Sequence, residues 1–278
     1  MHTPKFYFSA GAAAIIIAVF IFTAACHKSS QPAIEDIGYA SDQATTEQTF
    51  SDVQTIADQA STVNSGSTLA YRTTATTGSG CATVTRSTGT ITIDFGNADC
   101  LCHDGRLRRG QIIVTYTGNY ADSGSVHTIT FNNFYQNDNK VTGSKTVTNM
   151  GTNSSGQPYF DVQINGAVTL SGGGTISATW ARVRTWTQGY DTPNDITDDV
   201  YQVTGSGNMT RANGQLVNIN ISAPLIAAIS CRWIEAGSVT CTLPGGLTRV
   251  LNYGDTPDCD DLATLTLANG TTHNITLP

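Results

Sequence analysis

A two-residue alternation of apolar and polar side chains runs through most of residues 69–278, and it is the strongest constraint on the fold. In the clearest example, Phe160, Val162 and Ile164 alternate with polar side chains. Successive side chains of a β-strand point to opposite faces of the sheet, so such a segment has one buried and one solvent-facing side. The alternation therefore predicts a single all-β domain over residues 69–278.

Short turns rather than crossover helices separate the predicted strands. Gly172-Gly173-Gly174 predicts a hairpin turn, with the next strand at 175–186. Further strands are expected at 126–134, 141–149, 200–210, 215–222, 230–243, 247–253, 262–268 and 272–277. Parallel strands need long crossover connections, for which the chain has no room. The sequence predicts a mainly β fold, with a large antiparallel meander sheet that curls into a sandwich, an open barrel or a half barrel.

One amphipathic helix is predicted at residues 41–62, ahead of the sheet. Its apolar side chains recur at steps of three and four residues, at Phe50, Val53, Ile56, Ala57 and Ala60. We expect this face to pack on the sheet. A helix that binds a partner protein is the alternative.

The N-terminal segment has the composition of an export signal. Lys5 precedes an almost entirely apolar stretch at 6–22, and small residues precede Cys26. This pattern predicts a signal peptide at residues 1–25 and a lipidated tether at 26–40. A membrane-spanning helix needs roughly 20 apolar residues, so an uncleaved anchor is the alternative.

The run Phe22-Thr23-Ala24-Ala25-Cys26 resembles the bacterial lipobox. The resemblance implies that Cys26 becomes the first mature residue and carries a diacylglycerol thioether and an amide-linked acyl chain. Thr23 departs from the pattern, which usually has an aliphatic residue there. His27 is not the aspartate that is associated with inner-membrane retention. A lipid-anchored protein of the outer membrane is therefore expected, on its periplasmic or its surface side.

The charge of the chain argues against nucleic acid as a partner. Residues 1–25 contain one lysine and no acidic residue, so the predicted mature chain has 13 basic and 21 acidic residues and a net charge of −8. With 39% hydrophobic and 13% charged residues and 27 glycines, the composition is typical of a folded, turn-rich domain.

Six cysteines follow Cys26, and their even number predicts disulfides in an oxidising compartment. The candidates are Cys81, Cys100, Cys102, Cys231, Cys241 and Cys259. A metal site is the alternative, but the CxxC pairs of zinc ribbons are absent from the sequence.

Two similar segments indicate that the domain is internally duplicated. Asp94-Phe95-Gly96-Asn97 precedes Cys100, and Asn252-Tyr253-Gly254-Asp255 precedes Cys259. If each is a strand, a turn and a disulfide, Cys100 or Cys102 bonds to Cys81, and Cys259 bonds to Cys231 or Cys241. Chance similarity between β-strands is the alternative.

The sequence contains none of the standard motifs of serine, zinc or nucleotide enzymes. An acidic loop carries Asp191, Asp195, Asp198 and Asp199, which makes it a weak candidate for calcium. It lacks the DxDxDG spacing of a calcium-binding loop, so turn and capping roles are expected, with no metal and no cofactor. Asp198 and Asp199 could also supply half of the acid pair of a glycan hydrolase.

The strand from Trp180 to Trp186 is the most specific candidate for a ligand-binding face. Trp180, Arg182, Arg184 and Trp186 share one side of it, and such a face can hold a sugar ring or a carboxylate. The alternatives are an exposed cation–π ladder, or arginines that pair with acids on neighbouring strands.

A second basic segment, residues 105–110, follows Cys102 and reads as a solvated turn that could also bind a ligand. His103, beside a predicted disulfide, is interpreted as a structural residue rather than a ligand or a base.

Several segments together resemble a family of uncharacterised bacterial outer-envelope lipoproteins. They are Ile93-Asp94-Phe95-Gly96, Cys100-Leu101-Cys102, Gly105-Arg106, Tyr116-Thr117-Gly118 and Cys259-Asp260-Asp261. The resemblance covers most of the mature chain and implies an envelope location and a compact β domain after an N-terminal helix. It implies no activity and no catalytic residue.

We therefore expect a non-catalytic envelope protein that binds a glycan or a protein through an exposed face of the sheet. The alternative is a carrier that encloses an apolar ligand or lipid between the curled sheet and the helix. A glycan hydrolase is a weaker alternative.

Overall fold

The described residues form one long helix followed by the strands of a single sheet. A computed structural model describes residues 2, 37–62, 68–69, 80–192 and 195–278. Cys26, the predicted signal peptide and most of the predicted tether lie outside these residues. The elements are α1 Gly38–Thr62, β1 Thr68–Leu69, β2 Ala82–Ser87, β3 Thr90–Asp94, β4 Cys100–Leu101, β5 Leu107–Tyr116, β6 Val126–Gln136, β7 Asn139–Thr152, β8 Pro158–Thr169, β9 Thr175–Gln188, a 3₁₀ turn Ile196–Asp198, β10 Val200–Thr210, β11 Leu216–Ala228, β12 Ala236–Thr242, β13 Thr248–Asn252, β14 Leu262–Thr266 and β15 Thr272–Thr276.

The sheet is an antiparallel meander in which the strands follow one another in chain order from β1 to β15. Only β4 leaves this path among the described strands, since it pairs with the first residues of β5 while β3 pairs with the rest. The sheet does not close into a barrel. The predicted mainly β fold, with an N-terminal helix and an antiparallel meander, is confirmed.

Pro224 lies inside β11, which continues to Ala228 although the alternation predicts an end near residue 222. Proline has no backbone N–H to donate to a neighbouring strand. The pairing of β11 with β12 changes register between Ile221 and Ala223, and again between Ala223 and Ile226. The strand tolerates proline because Pro224 falls within this bulged stretch.

Helix α1 is buried along almost its whole length by the sheet. Its second half, with Phe50, Val53 and Ile56, packs in a core built from β2 to β10. Its first half, with Tyr39 and Ala44, packs in a second core built from β9 to β15. The predicted apolar stripe therefore does pack on the sheet.

The polar side of α1 is also buried, which the prediction of an amphipathic helix did not anticipate. Gln43 and Thr46 are fully buried, and Gln54 is nearly so. An amphipathic helix that packs on one face of a sheet keeps its polar face in water. Here the polar side is enclosed as well, so the polar side chains of α1 find their partners inside the protein.

The charged partners of α1 are arginines on the inner side of the sheet. The helix carries four acidic side chains and no basic ones. Each acid forms a buried ion pair: Asp42 with Arg211 at 3.0 Å, Glu47 with Arg182 at 3.2 Å, Asp52 with Arg106 at 3.1 Å, and Asp58 with Arg184 at 2.8 Å. Buried charges are tolerated only when they are paired and hydrogen-bonded, so these contacts fix the position of α1.

Gly166 in β8 gives the helix room to approach the sheet. A Cβ atom at this position would lie 2.4 Å from Cζ of Phe50 and 3.0 Å from the carbonyl oxygen of Thr142. These separations are shorter than van der Waals contact, so any larger residue would force the Phe50 ring to move. Close approach of the helix explains this glycine in the interior of a strand.

We predict that Asp52→Asn lowers the free energy of unfolding by about 3–5 kcal/mol, because the two buried arginines Arg106 and Arg108 would then share the single carboxylate of Asp104. Asp52 also lies 3.7 Å from Arg108 and accepts a hydrogen bond from Gln136. Urea unfolding measures the change.

Asp99→Asn is the matched control. Asp99 pairs with Arg109 where both side chains are partly exposed, so a loss below about 1 kcal/mol is expected. Equal losses in the two variants would contradict a structural role for the buried pairs.

Candidate functional site

A cavity of about 50 Å³ lies between α1, strands β7 to β11 and the segment that follows β11. Glu47, Phe50, Ser51, Gln54 and Thr55 line it from the helix. The rest of its wall combines apolar and cationic side chains: Lys145, Val162, Ile164, Arg182, Arg184, Val203, Leu225, Ala227, Ala228, Ile229, Cys231, Trp233 and Ile234. Concave sites of mixed apolar and polar lining are the usual places for small ligands.

Residues 229–235 close one side of the cavity and lie outside the sheet, although the alternation predicts a strand at 230–243. A disulfide joins Cys231 in this segment to Cys259. The carbonyl oxygen of Arg232 accepts hydrogen bonds from Gln48 of α1, at 2.5 Å, and from Arg106, at 3.3 Å. The segment is therefore held both covalently and through the helix.

Three cations line the cavity. The Arg182 guanidinium binds Glu47 and lies 4.6 Å from the centre of the Trp180 ring. Arg184 binds Asp58, and its guanidinium lies 3.3 Å from the centre of the Tyr201 ring.

Lys145 is the third cation, and its Nζ donates a 2.9 Å hydrogen bond to the Phe50 carbonyl oxygen. Burial, together with the charge of Arg184, lowers the pKa of Lys145 to about 7, against the opposing effect of Asp58 and Glu47. Lys145 therefore carries a charge that changes near neutral pH.

Four buried polar atoms of the cavity-lining residues have no hydrogen-bond partner within the part of the chain that the structure describes. They are Nε and Nη1 of Arg182, Nε1 of Trp233 and Oε1 of Gln54. Three of the four are N–H donors. A buried donor without a partner costs free energy, and such groups are rare outside sites that take up water, an ion or a ligand.

The predicted ligand face from Trp180 to Trp186 is not exposed, so the prediction of a surface binding face is wrong, although Arg182 and Arg184 line the cavity. Trp180 is 1%, Arg182 3% and Arg184 7% exposed, and all three face α1. The alternation along β9 is as predicted, but the two faces are exchanged. The face with Trp180 points into the protein, and the small side chains on the other face point to solvent. The arginines can be buried because α1, rather than a neighbouring strand, supplies their acids.

Trp186, the fourth member of that face, is half-buried and lies away from the cavity. Its ring stacks on Tyr201, and its Nε1 donates a 3.1 Å hydrogen bond to Asp199. Burial, together with the charge of Asp58, raises the pKa of Asp199 to about 7. The bond from Trp186 makes Asp199 a hydrogen-bond acceptor inside the protein.

Two disulfides form, Cys81–Cys100 and Cys231–Cys259. Both are among the pairings that the duplicated segments allow. Cys102 and Cys241 are unpaired and buried, so the prediction that all six cysteines form disulfides is wrong for these two. They lie in different cores, Cys102 with the second half of α1 and Cys241 with the first, and burial raises the pKa of each thiol.

The acidic loop uses its carboxylates in separate local contacts. Asp195 caps the 3₁₀ turn by accepting from the N–H of Thr197, and Asp198 accepts from the hydroxyl of Thr192. In the described ranges, the only group of side chains with metal-ligand spacing is Cys231, Glu235 and Cys259, and its cysteines are joined in a disulfide.

The predicted solvated basic turn at 105–110 is largely an interior feature. Arg106 and Arg108 are fully buried and bind Asp104, and Arg106 also binds Asp52 of α1. Arg109 alone of the three is partly exposed, and it pairs with Asp99 and Asp138. His103 is exposed next to this turn.

Sequence reasoning missed Glu47, Asp58, Lys145 and Trp233. One available signal was the charge of the helix: its acids recur every five or six residues, without any basic residue to pair with locally. Such a helix needs cations from elsewhere in the chain, and the arginines in or next to the predicted strands can supply them.

No protein-family model, curated protein or solved structure matches this chain. None of the described helices has both the length and the apolar character that crossing a bilayer demands.

We predict that Lys145→Met removes a pH dependence of stability above pH 7. The folded protein releases the Lys145 proton near pH 7, whereas an unfolded lysine keeps it until about pH 10.4. Between these values the unfolded state binds more protons, so the free energy of unfolding rises with pH, by up to about 1.4 kcal/mol per pH unit. Urea unfolding from pH 6 to pH 10 measures this slope.

Lys140→Met is the control, because Lys140 lies half-buried beside Tyr135, away from the cavity. It should keep the slope of the natural chain. Identical slopes in the natural chain and in Lys145→Met would contradict the assignment.

Proposed function

We propose that this protein is a non-catalytic binding module of the bacterial cell envelope, anchored through Cys26, which holds a small ligand between α1 and the sheet. The observation that carries the proposal is the cavity, whose wall joins apolar side chains such as Val162 and Ile164 to unpartnered donors of Arg182 and Trp233. Apolar walls with a few placed polar groups are typical of ligand sites.

The geometry supports a carrier more than a module that binds through an exposed sheet face. The aromatic and basic face that would have gripped a glycan or a protein is turned toward α1. The cavity, in contrast, lies where the carrier hypothesis needs it. At about 50 Å³ it has room for a few non-hydrogen atoms rather than for a complete lipid.

The proposed anchor predicts that Cys26→Ala moves the protein from the membrane fraction to the soluble fraction, because several acyl chains hold a domain on a bilayer. His27→Ala, which keeps the acylated residue, should leave the protein in the membrane fraction. Immunoblots of fractionated cells measure both. Membrane retention of Cys26→Ala would reject lipid anchoring at this residue.

The proposed ligand site predicts that a small molecule co-purifies with the full chain carrying Cys26→Ala, visible as added mass under native electrospray conditions. Adding Ser51→Leu should abolish this mass, because Ser51 lines the cavity and a leucine would fill it. Ser41→Leu is the matched control, since Ser41 is exposed on the same helix.

Two results would contradict the proposed ligand site. One is the absence of added mass in the parent protein. The other is equal added mass in the Ser51→Leu and Ser41→Leu variants.

A further inference from the structure

We propose that the cavity binds a short-chain carboxylate, with Arg182 as its anion-binding residue. This inference rests on the proposed function and names the chemical class of its ligand. Three observations support the inference: the unpartnered donors of the cavity, the charge of the cavity wall, and the position of the apolar side chains in that wall.

The donors favour an acceptor-rich ligand. Arg182 uses Nη2 for Glu47, which leaves the N–H groups of Nε and Nη1 without partners in the described part of the protein. Trp233 adds the N–H of Nε1, and all of these atoms are buried. A carboxylate has two oxygens with about four acceptor sites and no donor, so it suits a wall of unpartnered N–H groups; because Nε and Nη1 lie on opposite edges of the guanidinium, it would accept from one of them.

The charge of the wall favours an anion over a neutral acceptor. Arg182, Arg184 and Lys145 line the cavity, whereas Glu47 is the only acidic lining residue among those that the structure describes. Arg184 is paired with Asp58, which does not line the cavity, and Arg182 is paired with Glu47. Within the described ranges, the one hydrogen-bond acceptor of Lys145 is a carbonyl oxygen, so its protonated form has no counter-ion in direct contact there. An anion in the cavity would supply one.

The apolar part of the wall favours a ligand with a short hydrocarbon tail. Val162 and Ile164 of β8, with Leu225 of β11 and Ile229 after it, line the same space as the cations. Burial of a methylene group in such surroundings is favourable. The small volume limits the tail to a few carbons, so acetate, propionate and butyrate are the natural probes.

Indole resonances give a direct test, because the chain has three tryptophans and each has its own N–H. In the test, sodium butyrate and, separately, its neutral analogue butyramide are to be titrated into the ¹⁵N-labelled full chain carrying Cys26→Ala. The Trp233 peak, assigned with Trp233→Phe, should shift and saturate with butyrate. The Trp186 peak should stay in place, because that N–H binds Asp199 away from the cavity.

Variants of the ion pair test the role of Arg182. Arg182→Met alone leaves Glu47 buried without its cation, so the double variant Glu47→Gln/Arg182→Met keeps the charge balanced. It should weaken butyrate binding at least roughly tenfold, as expected for the loss of hydrogen bonds to a charged group. Glu47→Gln alone keeps the guanidinium and removes a negative charge from the cavity wall, so it should bind butyrate at least as tightly as the parent does. Arg109→Met, distant from the cavity wall, is the matched control and should leave binding unchanged.

The outcomes separate this inference from the proposed function. If butyramide shifts the Trp233 peak as strongly as butyrate, or if the double variant binds butyrate normally, carboxylate recognition by Arg182 is wrong. The proposed ligand site would still stand if a small molecule co-purifies with the parent protein and its mass is absent from the Ser51→Leu variant. If neither probe moves the Trp233 peak and no mass co-purifies, both proposals are wrong.

Discussion

Four carboxylates of α1 meet arginine side chains inside the protein, and the position of the helix against the sheet depends on these ion pairs. Desolvation of a charge costs several kcal/mol, and the cost is offset only by a partner in good geometry. The pairs run along the helix from Asp42 at one end to Asp58 at the other. Because their arginines lie just before β5, on β9 and just after β10, the pairs hold the helix against several strands of the sheet.

The same pairs shape the cavity. Glu47 engages only one nitrogen of Arg182, so the guanidinium is held in place while its other N–H groups stay available. A side chain fixed in this way loses little conformational freedom when it binds a ligand. The disulfide at Cys231 acts similarly on the segment that carries Trp233. The cavity is therefore enclosed by a paired arginine on the sheet side and a covalently tied segment on the other.

Local patterns were sufficient for the meander and for the helix, because both depend on the spacing of apolar residues. The same spacing could not predict that the side of β9 with Trp180, Arg182 and Arg184 is buried. Trp180, Arg182 and Arg184 alternate as an exposed basic face would, and only the acids of a distant helix make their burial favourable. The disulfides show the same limit. Cys81 and Cys100 flank the hairpin of β2 and β3, whereas the pairing of Cys102 and Cys241 depends on which core each enters.

Enclosure of α1 also constrains how the chain can fold. The helix comes first in the sequence, yet its first half packs against the strands that come last, β9 to β15. Contacts between such distant segments carry a large loop-closure cost and form slowly. Asp42 and Glu47 must stay hydrated until Arg211 and Arg182 arrive, so the first half of the helix gains its tertiary contacts only as the later strands are added. The start of the helix and the last strands thus complete the fold together.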